Sequence, residues 1–140
     1  MKNSEKLNNE GEVSITSDFE IESIPNTDFL IGHLRFFGEY KIGGLGNKDS
    51  DYICNKIVNV LSDHQVQGVL INFTEMSYQW GNRIFNALIL IERASKPSAI
   101  VYSEKNLNMV SPDDPLYFKK SEEALENLKA RIILKLNGGL

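Results

Sequence analysis

GVLINFTEMSYQWGNRIFNALILIE, residues Gly68 to Glu92, sets a buried strand, a short polar crossing and an amphipathic helix one after another without a break. Val69 to Phe73 reads as the strand, an apolar run bounded by polar residues. Ile84, Phe85, Leu88, Ile89 and Ile91 recur along one broad helical face. That helix should end before Pro97, because a proline ring disfavours helix in the residue ahead of it. Between the two lies Ser77-Tyr78-Gln79-Trp80-Gly81-Asn82, and this turn is the candidate working surface.

Upstream, Val13, Ile15, Phe19 and Ile21 alternate with Glu12, Ser14, Asp18 and Glu20, the pattern of an edge strand with one buried face. Pro25-Asn26-Thr27-Asp28 supplies turn chemistry: the proline presets φ, and Asn and Asp bond their own backbone. Phe29 to Phe37 is apolar at both parities, as in a strand inside a sheet, and the two strands form a hairpin. After a glycine-rich, charged loop, Ile53, Ile57, Val58 and Leu61 repeat at helical spacing; Ser50 or Asp51 is the expected N-cap, and the helix should end near Gln65.

Downstream, Ala99 to Tyr102 reads as a strand. A polar stretch containing Asn106, Asn108, Pro112, Asp113, Asp114 and Pro115 leads to a short strand at Leu116 to Phe118. Ser121 then caps a helix with Ala124, Leu125, Leu128, Ile132 and Leu136 on its apolar face, stopped by Gly138-Gly139. The order is β-β-α-β-α-β-β-α, or one strand fewer if the short strand does not form. Strands separated by helices imply parallel crossovers, so the expected architecture is a single α/β domain: a mixed, mostly parallel sheet of four to five strands with three main helices. Residues 1–11 read as a disordered lead and 12–137 as the domain.

Composition narrows the class. The chain has 140 residues, 41% hydrophobic and 24% charged, the profile of one globular domain. The formal charge of −4, with scattered Lys and Arg, argues against nucleic-acid binding, which needs a basic stripe. The longest late apolar run, Ala87 to Ile91, is far too short to span a bilayer, and the polar N-terminus lacks a signal-peptide run, so the expectation is a cytoplasmic protein without membrane contact. The single cysteine, Cys54, falls on the inner side of a helix and is expected to be a buried thiol. Asn72-Phe73-Thr74 matches a glycosylation sequon by chance, since it falls in a predicted buried strand.

Three strings carry a family resemblance. Leu30 to Tyr40, LIGHLRFFGEY, resembles the second strand of the STAS domain family, that of the bacterial anti-sigma-factor antagonists, where it runs into a G-E-L signature. Val69 to Tyr78 is similar to that family's third strand and crossing. Pro97 to Tyr102 and Phe118 to Leu125 resemble its later strand and closing helix, so the likeness runs from about residue 13 to 136. The resemblance implies a non-enzymatic regulatory protein that binds a protein partner through the crossing and the helix after it. The chain departs from the pattern where phospho-switched members carry D-S-S/T-G-L. Here Trp80-Gly81-Asn82-Arg83-Ile84 stands in that place, so an added phosphate has no acceptor at positions 80–83, and Ser77 is the hydroxyl left in the turn. Asn82 is the expected N-cap of the following helix. Asn72 also replaces the usual aspartate at the strand end.

The chemistry-bearing residues read as follows. Tyr78, Gln79, Trp80, Gly81, Asn82 and Arg83 form the candidate partner surface, because an aromatic beside an arginine is the composition of an interface hot spot. Trp80 could equally fold down as a lid over the sheet end. Gly44, Gly46, Asn47 and Lys48 are candidate loop contacts, but the string meets neither the P-loop nor the dinucleotide spacing, so it reads as a mobile connection. His33 and His64 lack partners at metal spacing, His64 being placed to face a helix C-terminus. No nucleophile elbow and no paired carboxylates are visible, which predicts no catalytic residues, no metal and no cofactor. The competing readings are an immunity-type inhibitor of a toxin and a small-molecule binder using a crevice at the carboxyl ends of the strands. The partner's identity and any homo-oligomer stay open.

Overall fold

The computed structural model describes residues 13–111 and 113–137. The expected disordered lead, Pro112 and the Gly138-Gly139 helix stop lie outside the described residues. Five strands form one sheet in the order β1-β2-β3-β4-β5: β1 is Ile15–Ser23, β2 Leu30–Glu39, β3 Gly68–Ser77, β4 Ser98–Val101 and β5 Tyr117–Phe118. β1 runs antiparallel to β2, and every later pair is parallel. The helices are α1, Asn47–Leu61, α2, Ile84–Glu92, and α3, Ser121–Leu136. The expected α/β architecture and element order are therefore present, with the short strand formed.

The hairpin joining β1 to β2 turns on Asn26 at φ +66, where an Asn tolerates the left-handed region better than other side chains, and Thr27 Oγ1 donates to the Ile24 carbonyl at 2.8 Å. Residues of alternating parity then sort onto two faces. Leu34, Phe36, Val69, Ile71, Phe73 and Ile100 meet α1 and α2 through Ile53, Ile57, Ile84, Ala87, Leu88 and Ile91. Ile31, Leu70, Ala99 and Val101 meet α3 through Ala124, Leu128 and Ile132. Burial of β3 and β4 from both sides is why their sequences lack alternation. Phe36 and Phe73 stack across neighbouring strands with ring centroids 5.4 Å apart.

Several sequence expectations need correction. α1 begins at Asn47 rather than after Ser50, because Gly43–Gly46 is wound into a 3₁₀ turn that leads straight into it, and it ends at Leu61 rather than near Gln65. Asp49 and Ser50 thus lie inside the helix and are buried. The Asp49 carboxylate accepts from the Ser14 amide at 2.8 Å and the Lys41 amide at 3.0 Å, tying β1, the end of β2 and α1 together. Val58, Phe85 and Ile89, which helical spacing assigns to the core, are exposed because they face away from the buried arcs of α1 and α2, and Leu136 is exposed as the last residue of α3, one turn beyond buried Ile132. Phe19 and Ile21 on the edge strand are also exposed, at 39% and 44%. α3 starts at Ser121 itself, after Lys120, with no side-chain cap bond.

Candidate functional site

β3 runs on to Ser77, four residues past the sequence estimate, and delivers the chain to the turn before α2. A second 3₁₀ segment, Glu104–Met109, holds that turn from behind. Asn106, fully buried, donates from Nδ2 to the carbonyls of Phe73 at 2.7 Å and Met76 at 2.9 Å and accepts the Ser103 amide at 3.0 Å. Ser103 Oγ donates to the Thr74 carbonyl, Asn108 Nδ2 to the Gln79 carbonyl, and the Tyr78 amide to the Lys105 carbonyl. Backbone groups that leave the sheet at the end of β3 are thereby paired, as burial requires. Asn106 makes half of these bonds, and nothing in the polar stretch around it marks it out in the sequence.

Tyr78 is buried, so it belongs to the packing beneath the turn and not to its outer surface. Its ring meets Tyr40 edge-on at 5.3 Å, and its hydroxyl donates to the Gly81 carbonyl at 2.7 Å. Tyr40 is buried too, its hydroxyl having no hydrogen-bond partner among the described residues; burial pushes its pKa up to about 12. Gly81 adopts φ +147, a region that side chains rarely enter, and a Cβ there would sit 3.2 Å from the Tyr40 ring.

Trp80 is 59% exposed. It does not close the core as a lid; Met76, Tyr78 and Ile84 do that. Instead its ring leans on Gly43, where a Cβ would come within 2.7 Å of the indole, and the Gly43 amide donates to the Trp80 carbonyl at 3.1 Å. Gly43 sits at φ +61, so the residue the indole needs is also the one the backbone needs. The glycine-rich string is thus a wound support for the tryptophan rather than a loose loop. Within it Gly46 is buried against Tyr40, while Gly44, Asn47 and Lys48 are exposed.

Gln79, Asn82 and Arg83 are exposed as well. Arg83 donates to Asp51 on α1 at 2.8 Å, and its carbonyl accepts the Ser50 hydroxyl at 2.7 Å. Asn82 makes no side-chain cap: α2 begins at Ile84 after Arg83, and the Asn82 contribution is its carbonyl, which accepts the Phe85 amide at 3.2 Å. Phe85 and Ile89, one turn apart on the outer face of α2, and Leu45 beside the tryptophan's support are exposed apolar residues at this part of the molecule. Hydrophobic periodicity named both α2 residues but assigned them to the core.

Cys54 is half-buried on α1, and burial raises its thiol pKa, which lowers the thiolate population. His33 Nε2 is 2.8 Å from Glu22 on the far side of the sheet, and His64 is exposed beyond α1. Among the described residues no group of three or more His, Cys, Asp or Glu is placed to hold a metal. Among them, too, no helix is long and apolar enough to cross a membrane.

Comparison with solved structures places this architecture. The fold is similar to that of an anti-sigma factor antagonist from Mycobacterium paratuberculosis, at a TM-score of 0.59 and 11% identity over 81% of this chain and 95% of that one. The chain has a STAS-like fold. SpoIIAA in its unphosphorylated form also aligns, at a TM-score of 0.49 and 17% identity over 79% of this chain and 96% of that one. No family model matches the sequence, and no curated protein matches it. At these identities the likeness extends to the path of the STAS-like backbone and not to the site residues.

Proposed function

We propose that this STAS-like chain is a non-enzymatic regulatory or scaffolding protein that binds a protein partner through the Ser77–Arg83 turn and the outer face of α2. The observation that carries the reading is Trp80, a large rigid side chain held largely in solvent by a turn whose backbone is fixed from below by Asn106 and from the side by Gly43. An apolar ring kept out of the core at a preorganised position loses little entropy on docking, which is what hot-spot aromatics do. Arg83, Phe85 and Ile89 extend the surface. The similarity of fold to a protein described as an anti-sigma factor antagonist supports a partner of the same broad kind, another protein.

The usual hydroxyl switch has no acceptor at positions 80–83, so control by phosphate at the start of α2 is absent from this reading. Three clefts on the described surface are lined by other residues than Gln79 to Arg83. Co-purification from cells with wild type, Trp80→Ala and Arg83→Glu tests the assignment. A partner recovered with wild type and lost from both variants, each still folded, supports it; equal recovery by all three removes the surface.

A further inference from the structure

At the other end of the sheet, where β3 and β4 begin, basic side chains converge on the loop between α2 and β4. Lys135 Nζ donates to the Ser95 carbonyl at 2.5 Å, Arg131 to the Ser98 carbonyl at 2.7 Å, and Lys96 Nζ to the Asp63 carbonyl at 2.6 Å. All three border one cleft of about 320 Å³. None makes a salt bridge among the described residues. We propose that this cleft binds the phosphoryl group of a small molecule through Lys96, Arg131 and Lys135.

Each cation is held by a neutral carbonyl, so its charge is oriented but not cancelled. An ammonium has three donors and a guanidinium five; after the bonds above and the one from Arg131 Nε to Asn127, every one of the three retains donors. Burial lowers the pKa of both Lys96 and Arg131, the sign of cations short of solvation. An anion would relieve that. The lining also holds one carboxylate, Glu92, which accepts the Tyr117 hydroxyl at 2.8 Å and keeps its charge, and Asp63 acts on Lys96 from outside the lining, so three cations face one carboxylate within the cleft. Cations from a loop and from two successive turns of α3 suit a phosphoryl group, with three acceptor oxygens and up to two charges, better than a planar carboxylate with two oxygens and one. The cleft is also of the size that takes a small ligand rather than a chain.

Pyrophosphate titrated into the ¹⁵N-labelled full chain at constant ionic strength is the test. The expected result is saturable displacement of the Ser95, Lys96 and Ser98 amide signals, weakened about tenfold or more in Lys96→Gln/Lys135→Gln, as loss of charge-assisted hydrogen bonds requires. Displacement that does not saturate, or that is unchanged in the double variant, overturns the proposal and leaves the cations as neutralisers of carbonyl ends. Lys135 is exposed, so Lys135→Gln alone supplies the same comparison if the double variant does not fold.

Discussion

Gly81 shows how a single backbone position aims the surface. Its φ of +147 turns the chain between buried Tyr78 and Ile84 while leaving Trp80 outside. Gly81→Ala should destabilise the fold by about 1–3 kcal/mol, the cost of forcing a side chain into a sparsely populated region, read as a lower urea midpoint at unchanged slope. Asn106 acts from the other side. Asn106→Ala leaves the Phe73 and Met76 carbonyls buried without donors, and about 1–3 kcal/mol per orphaned group is the expected loss in the same measurement. Asn106→Asp should be no better, because a carboxylate offers no Nδ2 donor. Neither role was legible in the sequence: a glycine beside a tryptophan and an asparagine in a polar run have many uses, and the groups they pack against or bond, Tyr40 for Gly81 and Phe73 and Met76 for Asn106, stand some thirty to forty residues away. Trp80 was legible as the residue of interest but not as solvent-exposed, since composition leaves lid and hot spot equally open.

Among the elements, β3 and α2 were read correctly in kind because their apolar periods are unambiguous, and incorrectly in extent because periodicity counts apolar residues without knowing which arc packs on the sheet. Phe85 and Ile89 are the instance. The 3₁₀ turn of Gly43–Gly46 is the opposite case: glycine content suggested mobility, whereas contacts with Tyr40 and Trp80 wind it against the turn. That arrangement has a pH consequence. Tyr40 titrates near 12 in the folded chain against 10.0 ordinarily, and Tyr78 is likewise raised by burial. A raised pKa means the folded state holds its proton more tightly than the unfolded one. Stability from these tyrosines is therefore complete below about pH 10 and falls as pH climbs toward about 12. Urea unfolding followed at pH 9, 10 and 11 should show the midpoint falling mainly over the last interval, and Tyr40→Phe, which removes the unpartnered hydroxyl, should flatten that fall.

For the molecule as a whole, the mixed sheet covered on both faces was predictable from strand order and from the absence of alternation in β3 and β4, while coverage of the second face by α3 was not specified by periodicity alone. Core and surface are separate in this molecule: α1, α2 and α3 cover the sheet with their inner arcs, and α2 leaves Phe85 and Ile89 exposed on its outer face. Trp80 is the only tryptophan, so its fluorescence reports the proposed surface without a label. Titrating the free chain with a co-purified partner should shift Trp80 emission to the blue and protect it from iodide quenching as the complex saturates. A complex that forms with emission and quenching unchanged would contradict the account, because docking would then be taking place somewhere other than the turn.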